Sequence, residues 1–318
     1  MRFVPTDEHE ALGEAIDEII AGCGGVDVPR GWANGDTASG RRLWSQLADL
    51  GLTGLRVSED DGGMGGTPQD MVVAFERLGY HAAPGPYIES VAFLPHVVPS
   101  DIRAQIAQGV IATTSAAPHA PWAVDAQISD LIYAVGDSWW AEATVGSEEE
   151  SLSALRRLVV VDPGERTSSD SAAIAFAHDE ASLAAAAYLV GAGERLLDEA
   201  VSYAGVREQF GRPIGEYQSL KHQLADVRVA LSFARPLVHG AAVTLSDHTG
   251  PRAVSAAKVA AGVAARRAAR TALQVHGAIG YTAEHHLGLW VTQVPALDTA
   301  WGTPATHRAR IARALRAE

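Results

Sequence analysis

The chain has 318 residues, of which 47% are hydrophobic and 20% charged, and a formal net charge of −13. That length can bury a substantial core and hold two or three domains, and the composition excludes a disordered chain. The acidic balance argues against a nucleic-acid surface, and the single cysteine, Cys23, rules out an intrachain disulfide and a cysteine-based zinc site.

The first residues run into an acidic helix start with no apolar signal core, and no stretch approaches the 18 or so apolar residues of a membrane span. A cytosolic protein is the expectation. Residues 6 to about 108 read as mostly helical. From Asp7 to Ile20, Leu12, Ile16, Ile19 and Ile20 share one face, and acids fill the first turn. Gly22 to Gly25 end that helix. A second, near Gly40 to Leu50, carries Leu43, Leu47 and Leu50 on one stripe. Gly51 to Val57 reads as a short extended piece. Glu59 to Gly66 is then a glycine-rich loop, and a helix covers Met71 to Leu78. Three acids precede those glycines and no Gly-Lys-Ser/Thr follows, so the loop is a turn and not a phosphate cradle.

From about 109 to 165 the periodicity changes. Leu131–Val135 and Leu158–Val161 are strand-like, the latter closed by Asp162-Pro-Gly, with an acidic turn expected at Glu148–Glu150. Trp139 and Trp140 are expected to pack and are given no ligand role. From Asp179 to the end the chain is helical again, over Leu183–Tyr203, Gln218–Ser246, Val254–Val275 and Thr303–Arg316. Four helices with short connections predict an antiparallel bundle. The resulting domains are 1–108, 109–165 and 166–318, and the fold class is mainly α with a small middle β segment.

Two segments carry chemistry. In Tyr203 to Val227, Arg207 is followed by Gln209, Phe210, Gly211, Pro213 and, at the next helix start, Gln218. A guanidinium offers paired donors that suit a pyrophosphate, and Gly211 and Pro213 set a turn that aims Arg207 and Phe210 outward. In Gln274-Val-His-Gly-Ala-Ile-Gly-Tyr281, glycines allow a close backbone approach. His276, His285 and His286 fit no standard metal spacing, so no metal is assigned.

Together these segments resemble the FAD-binding elements of acyl-CoA dehydrogenases, and the order helical block, β block, helical block resembles that family's architecture. The resemblance implies FAD contacts from Arg207, Gln209, Phe210, Gln218, Gln274, His276, Gly277 and Ala278, the last standing where the family has glycine. It also exposes a loss. The family's Tyr-Glu-Gly-Thr turn carries the base that removes the α-proton, but here Ala300-Trp-Gly-Thr303 places Trp301 at the Glu position. An indole is a donor only. No catalytic residue is therefore assigned. Relatives with the base on the preceding helix would place it at Ala181, with Glu180 one residue away as a helix-start acid. Thr113 to Trp122 does not reproduce the family's flavin-lining segment either.

The resemblance thus implies a subunit that has kept elements acting on a neighbour's flavin and lost those serving its own. The expected assembly is a heterotetramer, two copies of this chain with two of a catalytically complete acyl-CoA dehydrogenase subunit. It would act on an acyl-CoA, with a steroid side-chain thioester as the substrate guess. The alternatives are a self-sufficient homomeric flavoenzyme using a base such as Glu180, or a non-catalytic scaffold.

Overall fold

A computed structural model describes residues 6–282 and 285–317. The N-terminal helices are α1 (Asp7–Gly22), α2 (Asp27–Ala33), α3 (Ala38–Asp49), α4 (Pro68–Tyr80) and α5 (Ser100–Ala107). Local chemistry starts two of them. Thr6 caps α1 reciprocally with His9, and Thr67 caps α4 reciprocally with Asp70, with Pro68 in the first turn. Ile16 and Ile20 of α1, and Leu43 and Leu47 of α3, are buried as their spacing requires.

Gly51 to Val57 is not extended. Successive N–H groups reach back three residues, from Gly54 to Gly51 and from Val57 to Gly54, which coils the segment into turns. Gly63 and Gly66 lie against that coil, where a Cβ would sit 2.3 Å from the Val57 carbonyl oxygen and 2.8 Å from Leu55. The glycine-rich loop is thus packed turn structure, as expected. A π-helical turn, Ile88–Phe93, follows α4 and buries Glu89.

The β segment comprises β1 (Ala112–Ala116), β2 (Ala123–Val124), β3 (Leu131–Val135), β4 (Trp139–Glu149), β5 (Leu158–Pro163) and β6 (Thr167–Ser168). The sheet order is β1-β3-β4-β5-β2, with β6 paired to β4. The parallel β1–β3 pair is joined to antiparallel neighbours. The acidic turn expected at Glu148–Glu150 is instead mostly strand, since Glu148 pairs with Val159 and Glu149 with Leu158. These glutamates are exposed on a strand that flanks β5, opposite β2, so their charge stays in water and does not oppose pairing.

The rest is helical: α6 (Ser171–Val206), α7 (Gln218–Val243), α8 (Gly250–His276), α9 (Leu287–Thr299) and α10 (Pro304–Ala317). A small hairpin, β7 (Glu208–Gln209) with β8 (Arg212–Pro213), joins α6 to α7. Two expectations are corrected. α6 starts twelve residues before Leu183, and α9 makes five helices where four were expected. α9 is apolar nearly all round and contains Pro295, which hid its periodicity.

α6 is the spine of the molecule. Every residue from Asp179 to Glu194 is buried, and the stretch from Leu183 to Gly193 carries no charged side chain. α4 crosses it at glycine contacts. A Cβ on Gly191 would lie 1.8 Å from the Glu76 carbonyl oxygen, and one on Gly79 would lie 2.0 Å from that of Tyr188. Trp290 of α9 donates its indole N–H to the Gly79 carbonyl at 3.1 Å, tying a third helix to this crossing.

Candidate flavin-contact surface and base-less turn

Arg207 ends α6 in an extended conformation, its N–H bonded to the Tyr203 carbonyl. The chain then reverses through Phe210 (φ +53°) and Gly211 (φ +81°), the paired positive angles that a two-residue hairpin demands. Glycine adopts that angle freely, but phenylalanine does so at a cost. Phe210 is also 93% exposed. A strained aromatic held in water is poor packing and good presentation. Ile214 N–H closes onto the Arg207 carbonyl, the Tyr217 hydroxyl donates to the Gln209 carbonyl at 3.1 Å, and the Arg212 guanidinium lies 4.2 Å from the Tyr217 ring centroid. The corner is therefore rigid, while Arg207, Gln209 and Gln218 remain exposed. The Arg207 guanidinium makes no hydrogen bond or ion pair with any described residue.

The second segment sits at the end of α8. Gly277 caps the helix at φ +61°, and the chain continues through the 3-10 turn Gly277–Tyr281. Gln274 and Ala278 are exposed and Gly277 is half-buried. Gly280 is buried, and a Cβ there would lie 3.1 Å from Leu273 and 3.3 Å from Leu287. His276 differs from the other sequence-derived candidates. It is 4% exposed, its Nδ1 faces the Ala272 carbonyl oxygen at 2.8 Å, and its ring stacks on Tyr203 at 4.4 Å. It is turned into the protein and joins the two segments without facing outward. Seven candidates therefore share an outward-facing end of the bundle, and His276 holds it together from behind.

Glu199, His276 and His285 bring donor atoms within 4.8 Å of one another. Sequence spacing missed this cluster because Glu199 comes from α6. Two of its groups are already engaged: Glu199 pairs with Arg195 at 2.7 Å and with His286 at 3.0 Å, and His285 Nδ1 accepts the Leu287 N–H, while His276 Nε2 is buried with no hydrogen-bond partner among the described residues. These partners hold the Glu199 carboxyl down at about 2, against the opposing effect of burial.

At the base position, Trp301 has φ +57° and is 1% exposed. Its ring packs 5.0 Å from Phe93 and 5.9 Å from His178. Its carbonyl oxygen accepts the Ser182 hydroxyl at 2.9 Å and lies 3.1 Å from His307 Nε2. The turn is built around the indole. Three nearby carboxylates are buried, and two of them are paired. Glu180 is no helix-start acid: it lies inside α6, fully buried, bonded by Arg56 at 2.5 and 3.1 Å and paired with His96 at 3.1 Å. Burial opposes its charge, but His96 and Arg56 outweigh that and hold its carboxyl below the ordinary range. Asp179 is clamped by both guanidinium nitrogens of Arg310. Glu89 is buried, and desolvation pushes its carboxyl above the ordinary range despite Arg156.

Among the described residues, no helix is long and apolar enough to cross a membrane. Comparison with known proteins places the whole chain. Residues 6–95 match the family described as "Acyl-CoA dehydrogenase, N-terminal domain", and residues 173–316 match "Acyl-CoA dehydrogenase, C-terminal domain". The chain is 30% identical to acyl-CoA dehydrogenase IpdE2 of Mycobacterium tuberculosis over 306 residues, covering 91% of each chain. It is 29% identical to IpdE2 of Mycolicibacterium smegmatis over 316 residues, covering 96% of this chain and 98% of the relative. Its fold matches a chain of the ChsE4-ChsE5 complex from Mycobacterium tuberculosis with a TM-score of 0.86 at 22% identity, covering both chains fully. The protein belongs to the acyl-CoA dehydrogenase family.

Proposed function

We propose that this chain is the base-less subunit of a heteromeric FAD-dependent acyl-CoA dehydrogenase and completes a partner subunit's flavin site. The observation that carries this reading is a contrast between two ends of one molecule. The Arg207 corner is rigid, exposed and uncommitted, while the turn that should hold the base is filled by a buried Trp301.

The residues present fit the FAD. Arg207 provides paired donors for the pyrophosphate, Phe210 an aromatic face, and Gln218 and Gln274 amide groups on the same exposed end. The Gly277 turn lets backbone approach, with the Ala278 methyl pointing into solvent-accessible space. When bound, the flavin accepts the hydride that leaves Cβ of the acyl-CoA. The partner subunit supplies the group that takes the Cα proton, giving a trans-2-enoyl-CoA. This chain's part is to bind and orient. A positioned base contributes on the order of 10²–10⁴ in rate, so Trp301 silences any site built on this chain alone.

A surface for the partner supports the reading. Val229, Phe233 and Leu237 are exposed at successive turns of α7, beyond exposed Val206 and Phe210. Apolar surface at helical spacing beside a cofactor surface suits burial by another subunit. The likeness to a chain of the ChsE4-ChsE5 complex supports a heteromer, and the likeness to a solved steroid acyl-CoA dehydrogenase supports a steroid side-chain CoA thioester as the substrate class we infer.

The test is the visible spectrum and mass of the chain purified alone and with a co-expressed, complete dehydrogenase subunit. A colourless lone chain and a yellow complex with one FAD per unlike pair are expected. A yellow homo-oligomer that turns over an acyl-CoA with one FAD per chain overturns the proposal.

A further inference from the structure

Behind the Arg207 corner, three separate parts of the chain bring metal-ligating groups together. Glu199 lies on α6 one turn before Tyr203, His276 is the last residue of α8, and His285 stands two residues before α9 begins. Each offers one ligand atom, and the three atoms lie within 4.8 Å of one another. Donors around a tetrahedral zinc ion stand roughly 3.3 Å apart, so a modest rotation of the half-buried Glu199 and His285 side chains closes the set.

His276 is already arranged as a ligand. Its Nδ1 faces the Ala272 carbonyl oxygen at 2.8 Å, and a carbonyl only accepts, so Nδ1 carries the ring proton. The lone pair of the neutral ring is then on Nε2. That atom is buried and has no hydrogen-bond partner among the described residues. The Tyr203 ring, stacked at 4.4 Å, fixes the plane in which the lone pair points. A buried acceptor left unpaired is costly, and an imidazole oriented by a backbone carbonyl with its other nitrogen free is the usual state of a metal-ligating histidine.

The other two groups are within reach of an ion. Arg195 and His286 make their closest approaches to the same Glu199 oxygen, Oε1, at 2.7 and 3.0 Å, so the second oxygen can turn to a metal. His285 Nδ1 accepts the Leu287 N–H at 3.1 Å. Ligation takes that lone pair from a single neutral hydrogen bond, the weaker of the two interactions. Two imidazoles and one carboxylate suit zinc-class cations over magnesium and calcium, which prefer oxygen shells. Arg195 and Arg30 bring positive charge to the cluster and offset part of the carboxylate's attraction, so the site is exchangeable.

We propose that Glu199, His276 and His285 form an exchangeable binding site for a divalent cation of the zinc class, which clips the end of α8 and the start of α9 to α6. This proposal does not depend on the flavin reading, since its readouts are metal content and melting temperature.

The untagged full-length protein, in the assembly in which it purifies, is stripped with EDTA and titrated with zinc chloride by calorimetry, and bound zinc is counted by elemental analysis. One zinc per copy of this chain is expected. Glu199→Gln, His276→Phe and His285→Ala should each weaken binding at least 10-fold. His276→Phe keeps a ring on Tyr203, and His285→Ala, at a half-buried position, serves if a buried variant does not fold. His248→Ala, at an exposed histidine elsewhere, should bind zinc as the parent does. Zinc should raise the melting temperature by a few degrees and magnesium should not. The proposal is overturned by no saturable zinc binding, by binding indifferent to the three cluster variants, or by magnesium raising the melting temperature as zinc does.

Discussion

Tyr203 stacks on His276 at 4.4 Å with the rings 25° from parallel, joining the last turns of α6 and α8. The Arg207 corner begins one turn beyond Tyr203, and the Gln274–Ala278 turn contains His276, so this one contact sets the two outward-facing segments against each other. An aromatic pair of this kind is worth about 0.5–1.5 kcal/mol beyond its burial. His276→Ala is expected to weaken flavin retention in the assembled enzyme by roughly 2- to 10-fold, with Arg207 untouched. Flavin released on gel filtration measures it; unchanged retention would reduce the stack to packing alone.

Arg207→Ala removes the paired donors themselves. Hydrogen bonds to charged groups contribute about 1.5–3 kcal/mol, so FAD affinity of the complex should fall roughly 10- to 150-fold. Arg207→Lys keeps the charge but loses the fork and should lie between. Reconstitution of the apo-complex with FAD gives the affinities. Because Arg207 is exposed, thermal stability of the flavin-free protein should hardly change.

Trp301→Glu restores the family's residue without restoring its chemistry. The turn has formed around a buried indole touching Phe93 and His178. The substitution leaves a cavity and buries a carboxylate, and a loss of about 3–5 kcal/mol is expected. Denaturant unfolding reads that loss. The lone variant should show no dehydrogenation of acyl-CoA, and measurable turnover would mean that only the side chain was missing.

Acid should weaken the fold before most carboxylates titrate. His178 and His307 are held at about 4 in the folded protein, below the ordinary histidine value of about 6.5. Between those values the unfolded chain binds protons that the folded chain refuses, so stability falls as pH drops from about 6.5 toward 4. Melting temperature against pH should show this slope, and His178→Phe should flatten it.

Gly191→Ala tests the helix crossing at the spine. Its Cβ would meet the Glu76 carbonyl oxygen at 1.8 Å, a backbone atom that cannot swing away. Destabilisation of about 1–3 kcal/mol or more is expected. Gly22→Ala is the control. A Cβ there meets nothing within 4 Å, and the change should be neutral or stabilising by up to about 1 kcal/mol. Equal melting temperatures for the two variants would refute the close-packing account.

The surface features were legible because they depend on local chemistry. The turn at Gly211, the acidic first turn of α1 and the absence of a proton acceptor in the Trp301 side chain all follow from residue type and near neighbours. The helix periodicities of α1, α3, α7 and α8 were readable for the same reason. α9 was not, because an almost wholly apolar segment containing Pro295 has no polar face to mark its period. Glu148 and Glu149 looked like a turn because acidic residues favour loops, yet cross-strand pairing with Val159 and Leu158 outweighed that preference.

By itself the sequence determined the family, the outward corner and the tryptophan at position 301. Only the tertiary structure decided that Glu180 is a buried ion-pair partner, that His276 faces inward onto Tyr203, and that Glu199 lies beside His276 and His285. The reason is distance along the chain. Glu180 finds Arg56 from 124 residues away, and desolvation, which sets the charge of a buried group, exists only once the surrounding helices have closed over it.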